Sequence, residues 1–227
     1  MQRQAFNCRS LAVIVAATAI AFPAVADDDS GEQTTETTPY KMKSEDYRLY
    51  RSYKSALRDP RVQSMSEGRR LGAIANNFGV ELQRLREVVS LGEEHGEGQL
   101  EMQEAAAKEA LEEGRLAGRI RSIQFVERRG IVVAYVGWRV TEADAIVPEA
   151  SLLAWTVAEA APIAQLIATW ACMGRRKVFT ARIQTSSASN INPDRIDHFA
   201  ETRYIRLFEQ VRNRFDGEPP EDDVGCP

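Results

Sequence analysis

The N-terminal segment constrains this chain more than any other stretch, because it decides where the rest must fold. Arg3 and Arg9 precede an uncharged, mostly apolar run from Leu11 to Phe22. Ala24-Val25-Ala26 then places small residues at the two positions a signal peptidase reads, and Asp27-Asp28-Asp29 follows. That order is the pattern of a secretory signal peptide. The apolar run has 12 residues, well short of the ~20 that a membrane-spanning helix needs. Cys8 precedes the run instead of closing it, which argues against a lipid-anchored form. The expectation is an exported protein, periplasmic or extracellular, cleaved after Ala26. An uncleaved anchor would still carry the remainder across the membrane.

Removal of residues 1–26 leaves 201 residues, with 27 basic against 33 acidic side chains. That length suits one domain or two small ones. Residues 27–40 hold five acids and no base, and residues 216–227 hold five acids and three prolines. Both read as solvated ends, an acidic leader over 27–43 and an acidic tail over 216–227. Two cysteines outlast processing, Cys172 and Cys226. An even pair in an oxidising compartment is expected to form a disulfide.

Between those ends the periodicities change character once. Residues 44–59 read as a helix with Ser44 as its cap and Glu45 and Asp46 in the first turn, where the helix dipole favours anions. Tyr47, Tyr50 and Tyr53 recur on it at helical spacing, and Asp59-Pro60 closes it. The tyrosine stripe suits either a partner's surface or the next helix. Residues 66–92 form two shorter helices around Gly79, which with the first make a helical module over 44–97. An Ala/Glu-rich helix within 98–118 follows, with few large apolar residues, and reads as a solvated connector at a domain boundary.

From Ile120 the pattern is β-like. Ile120 to Arg128 and Ile131 to Val140 form a hairpin about Arg129-Gly130. The second run is apolar on both faces and so is expected to be central and covered twice. Pro148-Glu149 opens a helix running to Met173, and Lys177 to Thr185 is a third strand. Asn192-Pro193-Asp194 starts a last helix whose apolar stripe extends to Phe215. The fold class expected is therefore α+β: a helical module followed by a small ββαβα module, over 119–215, with an antiparallel hairpin. Ala150 to Met173 carries one charge, Glu159, and includes Pro162. Burial under the sheet is favoured over a membrane span, with Trp155 and Trp170 as core residues.

One motif fits a template. Ile74, Ala75, Phe78, Gly79, Val80, Leu85 and Val88 occupy the positions of a helix-turn-helix core, so residues 71–90 resemble that DNA-reading unit. Ala75 permits close helix approach and Gly79 supplies the left-handed turn. The segment 41–90 carries eleven Lys or Arg against six acids. The resemblance implies DNA binding, but an exported chain meets no chromosome. Glu81 and Glu87 also place acids where phosphates should lie. The basic helical unit, through Arg84 and Arg86 beside Tyr47, Tyr50 and Tyr53, is expected instead to meet another envelope protein or, peripherally, anionic lipid.

Catalytic patterns are sparse. His95 and His198 are the only histidines, and neither lies in a spaced metal-ligand set, so no metal or cofactor is expected. A Cys172–His198 dyad is open to an enzyme only if Cys172 is a free thiol. The hydroxyl- and amide-rich loop Thr185 to Asn192 precedes a helix start, where donors can cradle a carboxylate or phosphate. Ser186, Ser187, Ser189 and Asn190, with Arg182 and Arg195, are the expected ligand site if one exists. The leading expectation is an exported, non-enzymatic binding or assembly protein of the cell envelope. The alternatives are an exported enzyme or small-ligand binder at 185–195, and a DNA-binding regulator if the N-terminal segment is not a signal.

Overall fold

A computed structural model describes residues 39–213 and residue 226. The expected signal segment, most of the acidic leader and nearly all of the acidic tail lie outside the described residues. Those described form a mixed α+β fold with eight α-helical segments and one five-stranded sheet.

Local signals place the first helices. α1 (Ser44–Ala56) carries Glu45 and Asp46 in its first turn, but Lys43, not Ser44, holds the cap position. Asp59 does not end α1. It opens the short α2 (Pro60–Gln63) by accepting from the Arg61 N–H, with Pro60 at the first helical position. α3 (Glu67–Phe78) ends at Gly79, whose φ of 66° is the left-handed cap, and α4 (Leu82–His95) follows. Ile74, Ala75, Leu85 and Val88 are buried between them.

α5 (Gln99–Glu113) corrects the reading of this segment as a solvated connector. It packs against β1 (Ile120–Arg128) and α6 (Ile146–Ala160), and Gln99, Gln103, Ala107 and Leu111 are buried along it. The two glutamines satisfy backbone far away in the chain. Gln99 Oε1 accepts from the Met42 N–H at 2.9 Å and its Nε2 donates to the Tyr40 carbonyl at 2.8 Å. Gln103 Nε2 donates to the Met42 carbonyl and its Oε1 accepts from the Ile163 N–H at 2.9 Å. Met42 is fully buried, so residues 40–43 belong to the folded body and not to a solvated leader. Contacts join Pro39 onward into one unit, with no boundary at α5.

The sheet order is β1-β2-β3-β4-β5, with β2 (Ile131–Arg139), β3 (Leu166–Met173), β4 (Arg176–Gln184) and β5 (Glu209–Asn213). β1–β2 and β3–β4 are antiparallel, β2–β3 is parallel across the α6 crossover, and β4–β5 is antiparallel. The helix expected over 148–173 is therefore two elements. α6 ends at Ala160 ahead of Pro162, and β3 begins at Leu166. Among the described residues no helix is long and apolar enough to cross a membrane. The expected last helix is also replaced. Asn192 caps a short 3-10 turn by accepting from the Asp194 N–H at 3.0 Å, after α7 (Thr185–Ala188) and before α8 (Ile196–Phe199), a second 3-10 turn and β5. The ββαβα expectation thus becomes ββαββ with a further edge strand.

One face of the sheet holds the core. Val132, Val136, Trp138, Ile167 and Ile183 are fully buried there, with Leu153 and Val157 of α6. Trp138 and Phe179 meet edge to face at 6.2 Å. β2 is central, yet it is covered once, not twice: Val133 and Tyr135 on the other face are half-buried and Ile131 is exposed. Trp170 on that face lies against Gly137, where any side chain would collide with the indole. Trp155 and Trp170 are half-buried, not core. The outer edge of β1 is partly blunted by Glu104, whose carboxylate accepts from the Phe125 N–H at 3.0 Å.

Candidate functional site

α1 joins the helices to the sheet, and its tyrosines do the joining. Tyr47, Tyr50 and Tyr53 are all buried, so their rings pack and do not present an aromatic surface. The Tyr47 hydroxyl donates to Glu127 at 2.9 Å, and Arg51 Nε donates to the other oxygen of the same carboxylate at 2.9 Å. Burial first, then that hydrogen bond, push the Tyr47 phenol up to about 12. The Arg51 guanidinium is likewise held cationic, chiefly by its bond to Glu127. Arg84 forms an ion pair with Asp46 of α1, and Gln83 bonds Glu87 at 3.2 Å. Much of the exposed row of α4 is therefore engaged within the fold, while Arg86 is exposed with no ion-pair partner among the described residues.

The Arg51–Glu127 pair borders a cleft of about 860 Å³ bounded by α1, α2, α3 and the β1–β2 turn. Its lining is strongly basic: Arg51, Lys54, Arg58, Arg61 and Arg129 against Asp59 and Glu127. Both acids are already engaged. Glu127 holds Arg51 and Tyr47, and Asp59 accepts from the Arg61 backbone N–H at 2.8 Å. Lys54 lies 5.8 Å from the Tyr50 ring centroid. Arg58, Arg61 and Arg129 have no ion-pair partner among the described residues.

Arg129 is the notable member. With Gly130 it makes the tight β1–β2 turn, at φ of 54° and 77° respectively. Both central residues of such a turn need positive φ, so Asn or Gly is the cheap choice at the first. An arginine there costs about 1 kcal/mol or more in backbone strain. A strained cation at the rim of a concave basic cleft is an arrangement that concentrates anions. Sequence reading missed this site because Arg129 joins the cations of residues 51–61 only through the fold. The one available signal was an Arg where a two-residue turn favours Asn.

The expected ligand loop has another form. Thr185–Ala188 is a helical turn, α7. Ser189 Oγ donates to the Thr185 carbonyl at 3.1 Å and Asn190 Nδ2 to the Ser186 carbonyl at 2.8 Å. Those donors close the turn on itself. Ser186, Arg182 and Arg195 are exposed and Ser187 is half-buried. None of these residues lines the basic cleft.

Cys172 and Cys226 are bonded, and the Cys226 N–H donates to the Arg175 carbonyl at 3.3 Å. The disulfide removes the nucleophile that a Cys172–His198 dyad would need. His198 is exposed on α8, and the His95 ring packs 5.1 Å from Tyr40. Among the described residues no group of three or more His, Cys, Asp or Glu could hold a metal ion. Comparison with protein-family models, curated proteins and solved structures gives no match to this chain.

Proposed function

We propose that this is an exported, non-enzymatic binding or assembly protein of the cell envelope that holds an acidic segment of a partner protein in its basic cleft. The observation that carries the reading is Arg129, a cation kept in a strained left-handed conformation beside Arg58 and Arg61, all three without ion-pair partners among the described residues. A recessed site suits a cluster of carboxylates from a polypeptide better than a flat lipid surface. DNA is disfavoured because Arg84, at the position a reading helix would use, is paired with Asp46.

The test has two parts. Cell fractionation and intact mass should find the protein in the envelope fraction beginning at Asp27. A fluorescein-labelled oligoglutamate should bind it with an affinity that falls steeply with salt, and the Arg58→Ala/Arg61→Ala/Arg129→Ala variant should lose about tenfold or more. Equal binding by that variant would sink the cleft as the site. Tighter binding to anionic vesicles than to the peptide would move the function to the membrane surface.

A further inference from the structure

A second cleft, of about 610 Å³, lies between the end of α5, one stripe of α6 and the turn at Pro193-Asp194. We propose that it binds a small molecule with an apolar or aromatic body and a single ammonium head. Its volume falls in the range of small-ligand sites, roughly 300–1,000 Å³. This inference is independent of the basic cleft, which lies on other elements and has the opposite charge.

The stripe is built by helical spacing. Leu152, Trp155, Thr156 and Glu159 recur every three or four residues, so they share one face of α6. Most of the remaining residues of α6 are buried in the core, whereas Leu152 and Trp155 are only half-buried and Glu159 is exposed. α5 approaches this face, but the cleft remains open between them. Leu111 and Leu116, both 2% exposed, form its floor. The apolar part of a ligand would therefore meet leucine and indole surface.

Charge decides the head group. Glu159 lies one turn beyond Trp155, and Asp194 lines the same cleft from the 193–194 turn. Neither carboxylate has an ion-pair partner among the described residues. The one cation in the lining, Arg115, lies 3.7 Å from Asp197. The lining thus offers an ammonium the Trp155 indole and the Glu159 and Asp194 carboxylates, beside apolar walls that strengthen the attraction. A carboxylate or phosphate head would meet two lining carboxylates against one guanidinium, with the Lys41 ammonium nearby already donating to the Ala160 carbonyl at 2.9 Å.

The experiment compares phenylbutylammonium, phenylbutanol and phenylbutyrate, which share one body and differ in charge. Each is titrated into the labelled protein while amide and indole NMR shifts are followed. Saturable shifts at Leu111, Trp155 and Glu159 are expected with the ammonium compound, with affinity about tenfold above the alcohol and no saturation by the acid. Glu159→Gln, an exposed change that leaves the core intact, should remove most of that preference. Trp155→Leu should weaken the ammonium and the alcohol alike. Equal affinity for all three compounds, no saturable shift with the ammonium, or shifts confined to Arg58 and Arg129 would each overturn the proposal.

Discussion

The Trp138 indole N–H donates to Glu149 Oε2 at 2.9 Å, and the other oxygen of that carboxylate accepts from Arg119 at 2.5 Å. Trp138 is fully buried near the end of β2, and Glu149 is 8% exposed in the first turn of α6. One carboxylate thus satisfies a core indole and balances a half-buried guanidinium, linking the strand to the crossover helix that follows it.

Glu149→Ala leaves both donors without their acceptor. The expected loss is about 2–3 kcal/mol, the lower end if water reaches Arg119. Glu149→Gln keeps one acceptor and should lose about half as much. Urea unfolding checks this: the midpoint should fall with the slope unchanged.

Two glycines in helices should respond to alanine with opposite sign. A Cβ at Gly92 in α4 would enter the Tyr50 ring, whereas a Cβ at Gly72 in α3 meets nothing within 4 Å. Gly72→Ala should stabilise by about 0.5–1 kcal/mol through helix propensity. Gly92→Ala should destabilise by about 1–3 kcal/mol because the ring and helix must separate. Thermal melts of the two variants against the parent decide it, and stabilisation by both would refute the close packing of α1 on α4.

The Tyr47 phenol is raised to about 12 from an ordinary value near 10. A folded-state value above the unfolded one means the fold retains the proton more tightly. The stabilisation is complete below about pH 10 and is lost as pH rises through 12. Tyr47→Phe should flatten that part of the stability–pH curve, leaving a smaller decline from Tyr53, also raised by burial. An unchanged curve between pH 10 and 12 would show that Tyr47 does not ionise with the loss of the fold.

Arg129 offers a trade between stability and binding. Arg129→Asn should stabilise by roughly 1 kcal/mol, because Asn tolerates the left-handed turn. The same change should weaken the oligoglutamate complex several-fold. A variant that gains stability while binding fully would show that the strain serves no anion.

Reduction of Cys172–Cys226 opens a link of sequence separation 54. Chain-entropy arithmetic sets its contribution at about 4 kcal/mol at most. The paired Cys172→Ser/Cys226→Ser variant should therefore melt lower than the oxidised protein and be indifferent to reductant.

What the sequence determined by itself is local. Gly130 in the two-residue turn, the left-handed cap at Gly79, and the Asn192 cap with Pro193 behind it all form where their residue types place them. These outcomes depend on φ preferences and on hydrogen bonds spanning a few residues. Strand edges at 120, 128 and 131 were legible for the same reason. Tertiary structure decided the rest. Leu166–Met173 is an apolar run that reads equally as buried helix or buried strand, and pairing with both β2 and β4 makes it a strand. Residues 204–213 carry a helical stripe, yet β4 recruits Glu209–Asn213 as an edge strand. Gln103 looks like a solvent residue on an acidic helix and is fully buried, because its partners are backbone atoms some 60 positions away. The basic cleft has the same origin: a hairpin-turn cation, Arg129, joins those of residues 51–61. Periodicity reports which face of an element is apolar, but only the packed fold decides what meets that face, since those contacts join residues that are far apart along the chain.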